Sequence, residues 1–312
     1  MSTNIEWTDH TLNPGIYGCQ EVSPACANCY AAAMARRLAG MGQGAYEGVA
    51  RQGGWTGEVR VDFDRIKPAF DALPKRKPAR VFVTSMSDLF HPDVPASFID
   101  RVFREMEARP HLTFQVLTKR PEHMVSWWRW TDGDFAWPTN VWAGTTVEDQ
   151  RRADERIPEL LKVPAAVRFL SCEPLLGPID ISRYTEEPDL VPCCGMGGCE
   201  FCDGTGQAAV RGVGWVIAGG ESGPKARPSH PDWFRSLKEQ CQAAGVPYFF
   251  KQWGEWVPYT HADQDGRKKV SMGADGLADP MDDANWHVRV GKKAAGRLLD
   301  GRTWDEFPEG QP

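Results

Sequence analysis

No run of about eighteen apolar residues occurs anywhere in the chain, which excludes a helix that spans a membrane. The opening M-S-T-N-I-E-W-T-D-H lacks a basic stretch followed by an apolar one. No secretory leader is therefore expected, and a cytoplasmic location is. Positive charge is in deficit: 36 Lys and Arg against 42 Asp and Glu leave a net charge of −6. That argues against a broad, nonspecific duplex-binding surface, though a local basic channel stays open. The segment G-G-E-S-G at 219–223 is not followed by G-K-[ST], so it is not a P-loop. No Ser, His and Asp set assembles a hydrolytic triad. The lone His91 in H-P-D-V-P reads as a capping or packing residue.

What the chain does have is cysteine in clusters. Of nine cysteines, three fall in G-C-Q-E-V-S-P-A-C-A-N-C-Y, as Cys19, Cys26 and Cys29 followed by Tyr30. Three close thiols in a protein expected in a reducing compartment indicate a metal site rather than disulfides. The set is one ligand short of a closed tetrahedral site. A structural zinc usually has four protein ligands, whereas an iron–sulfur cluster held by three cysteines leaves one iron free to bind something else. A zinc with a distant fourth ligand is the alternative. The second cluster, Cys193, Cys194, Cys199 and Cys202 in C-C-G-M-G-G-C-E-F-C-D-G-T-G, has the count for a closed zinc site that orders a loop too short to bury a core. An auxiliary iron–sulfur cluster or unligated thiols are the other readings. Cys172 and Cys241 stand alone and read as buried apolar residues.

Short apolar runs recur: Val81 to Thr84, Leu112 to Thr118, Val141 to Thr145, Val167 to Cys172, Trp215 to Gly219 and Val246 to Phe250. Each fits a buried parallel strand. Helical stretches are expected at Ala31 to Ala39, Pro95 to Arg109, Glu148 to Leu161 and Pro231 to Ala244, the last stopped by Gly245. The alternation predicts an α/β fold: a partial (β/α) barrel of about six parallel strands, with a small Cys-rich metal loop and a C-terminal arm. We expect the barrel over 1–255, the Cys-rich insertion at 184–212, and a subdomain or wrapping arm over 256–312. Polar residues follow the strands: Asp88, Lys119, Glu173, Gly219, Gly220, Glu221, Ser222 and Lys251. In such folds this edge of the sheet binds ligands.

The stretches N-P-G-I-Y-G-C-Q-E-V-S-P-A-C-A-N-C-Y, S-M-S-D-L-F-H-P, L-T-K-R-P-E-H-M, S-C-E-P-L-L-G-P-I-D, G-G-E-S-G-P-K-A-R-P and F-K-Q-W-G resemble the phage and bacterial three-cysteine-motif proteins of largely unassigned function. More distantly, the chain resembles the radical S-adenosylmethionine (SAM) enzymes. Its C-x6-C-x2-C has a first gap three residues longer than their usual C-x3-C-x2-C. This resemblance implies a [4Fe–4S] cluster on Cys19, Cys26 and Cys29, with SAM bound beside it. With SAM beside the cluster, Tyr30 after the triplet and the strand-end residues Asp88, Lys119, Glu173, Gly219, Gly220, Glu221, Ser222 and Lys251 are the cofactor-binding candidates by position. The C-E-F-C-D-G-T-G half of the second cluster is similar to the zinc repeat of cochaperones. A nucleobase, nucleoside or DNA is the expected substrate, because aromatic residues (Trp127, Trp128, Trp130, Trp253) and basic ones (Lys119, Arg120, Lys251, Lys292, Lys293, Arg297) suit stacking and phosphate contact, with packing as the other reading of the tryptophans. A reductant protein and a further protein partner are also expected, and no membrane. The rival expectation is a noncatalytic, zinc-stabilised protein that binds nucleic acid or a partner.

Overall fold

The computed structural model describes residues 3–130, 136–185, 189–192, 207–210, 212–258, 269–272 and 286–308. Seven parallel strands form its central sheet: β1 (His10–Leu12), β2 (Ala79–Val83), β3 (Leu112–Thr118), β4 (Val141–Thr146), β5 (Arg168–Cys172), β6 (Trp215–Gly219) and β7 (Tyr248–Gln252). They pair in chain order from β1 to β7, with no reversal of the kind that makes a doubly wound sheet. The sheet curls into a half-barrel whose first and last strands do not pair. All six expected strands are present. The added one, β1, is too short to show a pattern in sequence. β7 starts two residues later than expected, because the Val246 N–H bonds back to the Cys241 carbonyl at 2.8 Å and closes the preceding helix.

Helices α1 (Tyr30–Gly40), α2 (Ile66–Asp71), α3 (Ala96–Glu107), α4 (Pro121–Trp130), α5 (Gln150–Leu160) and α6 (Pro231–Ala243) lie between the strands. In α3, Phe98, Ile99, Val102, Phe103 and Met106 recur at helical spacing and are all buried, which gives one apolar face to lay on the sheet. Asp149 caps α5 through its carboxylate, 2.8 Å from the Arg152 N–H. His230 caps α6 ahead of Pro231.

Strand alternation sorts side chains into two cores. Val81, Val83, Phe114, Val116, Leu170, Cys172, Val216, Ala218, Tyr248 and Phe250 join the helices. Phe82, Trp142, Phe169, Trp215, Ile217 and Phe249 pave the inside of the half-barrel together with Trp7. Gly144 makes room there: a Cβ on it would come within 2.3 Å of the Phe169 ring. The two ends of the described chain close this trough from below. Trp7 and Phe307 lie 6.3 and 5.2 Å from Trp215, centroid to centroid.

Residues 40–80 contribute one short antiparallel pair, Ala50–Arg51 with Gly54–Trp55, and a strand, Arg60–Val61, that pairs with Ile16–Tyr17. Tyr46, Val49 and Trp55 pack on the alanines of α1. After β7, Trp256–Pro258, Trp286–Arg289 and Lys269–Ser271 form a small antiparallel sheet, followed by α7 (Lys292–Ala295). Residues 304–306 then run antiparallel along β7, with the Phe250 N–H donating to the Trp304 carbonyl at 2.9 Å. An edge strand that would otherwise invite pairing is thereby covered. Cys193, Cys194, Cys199 and Cys202 lie outside the described residues. The strands Asp189–Pro192 and Gln207–Val210 that bracket them pair antiparallel.

Candidate active site

The C-terminal ends of the strands surround a cavity of about 480 Å³. Cys19, Cys26 and Cys29 all line it, and neither Cys172 nor Cys241 does. Their loop leaves the Ile16–Tyr17 strand, makes a 3-10 turn at Pro24–Cys26, and enters α1 at Tyr30. Burial pushes the Cys19 thiol up to about 12; the Asp88 charge adds to the shift and Arg120 opposes it. The thiol is thus neutral at pH 7, and ligation would displace its proton. Among the described residues no three His, Cys, Asp or Glu side chains form a ready metal group.

Three carboxylates from the ends of β2, β4 and β6 fasten this loop. Asp88 accepts from Thr118 Oγ1 at 2.7 Å, from the Phe90 and Lys119 N–H groups at 3.0 and 3.2 Å, and from Arg120 Nη1 at 2.9 Å. The other Arg120 nitrogen, Nη2, donates to the Gln20 carbonyl, next to Cys19, at 3.4 Å. Glu148 accepts from the Ala25 N–H at 3.3 Å, one residue before Cys26, and pairs with Arg156 at 3.0 Å. Glu221 accepts from Asn28 Nδ2 at 3.1 Å, one residue before Cys29. Arg227 grips Glu221 at 2.6 and 2.8 Å and donates to the Pro24 carbonyl at 3.0 Å. Each cysteine is therefore tethered through a neighbour to a different strand of the half-barrel.

The rest of the rim is cationic and hydroxylic. Lys251 Nζ lies 2.9 Å from Glu173 Oε1. Lys119 Nζ reaches Thr146 Oγ1 at 3.5 Å. Tyr30 donates its hydroxyl to the Ser85 carbonyl at 2.7 Å.

A family model covers residues 2–308, that of a protein of unknown function, DUF5131. The chain belongs to the DUF5131 family. No curated protein matches it. A solved structure described as spore photoproduct lyase complexed with dinucleoside spore photoproduct is similar over 89% of this chain and 67% of its own, at 11% identity and a TM-score of 0.32.

Of the residues singled out in this family member's sequence, Tyr30, Asp88, Lys119, Glu173, Gly220, Glu221, Ser222 and Lys251 line the cavity with the three cysteines, and Gly219 does not. A Cβ on Gly219 would sit 2.8 Å from Glu173 Oε1, and one on Gly220 would sit 1.9 Å from the Trp253 carbonyl oxygen. Close packing within the protein thus accounts for both glycines. For the tryptophans the structure favours packing over a stacking platform at the cavity. Trp127 packs on Phe103 in the helix layer, at 4.3 Å between centroids. Trp128 and Trp130 sit with it on α4, and Trp253 packs on Phe234 and Phe250. None of the four lines the cavity, whose aromatic walls are Trp7, Tyr30, Trp55 and Phe82. Arg297 lies away from the cavity too, paired with Asp305 and stacked over Phe249. Asn28, Glu148 and Arg227 were missed as loop anchors, because nothing local in sequence links them to the cysteines.

Proposed function

We propose that this protein is an iron–sulfur, SAM-dependent radical enzyme, as the three-cysteine and radical-SAM resemblances imply. One observation carries the reading: three thiols of one short loop face a single cavity at the ligand-binding rim of a parallel half-barrel, and protein carboxylates already hold that loop. A structural metal orders the segment that ligates it, and this segment is ordered by Asp88, Glu148 and Glu221. The donor set fits a [4Fe–4S] cluster in kind, with three thiols and no other described cysteine facing the cavity. When bound, such a cluster supplies the electron for cleavage of the SAM sulfonium.

The remaining work falls to the chain's own side chains. The Glu173–Lys251 pair offers one anionic and one cationic group, which complement the ammonium and carboxylate of a zwitterionic amino acid. Trp7, Phe82, Ile5 and Leu117 line the inner part of the cavity with apolar surface and keep water from a reactive intermediate. A nucleobase, nucleoside or DNA is the proposed substrate, a reductant protein the proposed electron source, and zinc the proposed occupant of Cys193, Cys194, Cys199 and Cys202. Anaerobic reconstitution with iron and sulfide tests the reading. A brown protein should result that bleaches on reduction, binds SAM by calorimetry and releases 5′-deoxyadenosine. Replacing Cys19, Cys26 and Cys29 with Ala should remove the colour. Zinc alone at the triplet, or cluster-loaded protein that ignores SAM, would overturn it.

A further inference from the structure

We infer that Lys119 marks a subsite for an anionic group of the substrate, a phosphate or a carboxylate, on the β3–β4 side of the cavity. The cations around this cavity differ in what neutralises them. Arg120 is held by Asp88 at 2.9 Å, Lys251 by Glu173 at 2.9 Å and Lys292 by Glu6 at 3.7 Å. Lys119 has no carboxylate partner among the described residues. Its ammonium has Thr146 Oγ1 at 3.5 Å, a hydroxyl that brings no countercharge. The residue is half-buried and lines the cavity. Its backbone is pinned, because its N–H donates to Asp88 at 3.2 Å, so the side chain springs from a fixed point.

A second observation points the same way. Ser87, one residue before that Asp88, also lines the cavity, and its Oγ is buried with no hydrogen-bond partner among the described residues. A buried hydroxyl without a partner is rare in folded proteins and calls for a ligand or water. Between β2 and Ser87, Thr84 takes φ 60°, a left-handed conformation that β-branched residues avoid and that concentrates at ligand sites. An ammonium and a hydroxyl are both donors, and together they suit an anion with several acceptor oxygens. The Glu173–Lys251 pair is neutral as a unit and suits a zwitterion; Lys119 leaves one positive charge over for a ligand with a net negative one. The assignment of that pair to the cofactor rests on the function proposed above, whereas the anion subsite does not need the cluster.

Calorimetry on the full chain tests this with inorganic phosphate, acetate, cytidine 5′-monophosphate and cytidine as probes, and with SAM on cluster-loaded protein. We expect at least one anion to bind, and the monophosphate to bind more tightly than cytidine. Lys119→Met should weaken the anion by about tenfold or more, Lys119→Arg should retain most of the affinity, and SAM binding should be unchanged. Phosphate favoured over acetate, or the reverse, identifies the group. A wild type that binds no anion, or a Lys119→Met variant that binds as before with native circular dichroism, would overturn the inference. So would loss of SAM binding in Lys119→Met, which would place Lys119 on the cofactor. Lys119-dependent anion binding without any SAM binding would leave the subsite standing and remove the radical reading.

Discussion

Glu148 ends β4 with no exposed side-chain surface, and Arg156, 7% exposed, meets it at 3.0 Å. Removing one partner of such a pair strands the other charge, which costs about 3–5 kcal/mol. Glu148→Gln should therefore lose about that much in urea unfolding, and adding Arg156→Met should recover a large part of it. His91 makes the opposite case, a group buried neutral. Its Nδ1 accepts from the Asp93 N–H at 3.2 Å in a local turn, and its ring is buried. Burial, with the Arg120 charge nearby, holds its pKa below 6.5. The unfolded chain takes up this proton first as pH falls, so stability is full above 6.5 and declines below it. Thermal unfolding between pH 7 and pH 5 should flatten in His91→Asn, which keeps an acceptor for Asp93 but has no proton to gain.

At the scale of elements, the cysteine loop is held to the half-barrel through Gln20, Pro24, Ala25 and Asn28, while its thiols add only weak sulfur contacts, Cys19 Sγ to the Gln20 carbonyl at 3.6 Å and to Arg120, and Cys26 Sγ to Ser23 Oγ at 3.9 Å. Replacing Cys19, Cys26 and Cys29 together with Ala should leave the metal-free protein folded. Its melting temperature should lie within about 2–4 °C of metal-free wild type, the span of roughly a 1 kcal/mol change in a chain of this size. A loop held by metal alone would give no such result on chelation. The contrast marks how far sequence reaches. Strands β2 to β7 could be read because each is a dense apolar run, and the cavity rim because polar residues follow those runs. Helix α4 is not among the expected helices, although Pro121 opens it and Met124, Val125, Trp127 and Trp128 follow at helical spacing. Its tryptophans admit packing or stacking in sequence, and Trp127 packs, with its indole N–H on Asp100 at 2.8 Å and its ring in the core. The clamps stayed hidden for another reason. Ala25 and Glu148 are 123 residues apart, and Asn28 and Glu221 are 193 apart; only the curl of the sheet brings them together.

For the whole molecule, the described tail acts on the open side of the sheet. Among the described residues no helix is long and apolar enough to cross a membrane. Residues 304–306 cover β7, the Trp215 indole donates to the Glu306 carbonyl at 2.9 Å, and Phe307 lies under Arg80 at 4.0 Å. A chain ended at residue 303 should bare that strand edge and one side of the aromatic floor. We expect a lower melting temperature and concentration-dependent association in light scattering, with strand content by circular dichroism largely kept.

The floor also fixes an order of events during synthesis. Trp215 touches Trp7 from one end of the described chain and Phe307 from the other, and a ribosome delivers Trp7 first, then Trp215, then Phe307. Residue 7 has to wait, exposed or loosely docked, while about 300 more residues emerge at roughly 5–20 per second. The last strand, β7, ends at Gln252, so about 55 residues, roughly 3–11 s at that rate, separate a seven-stranded trough from the ring that completes its floor. Any metal loading during that interval would meet a more open site than the finished protein presents.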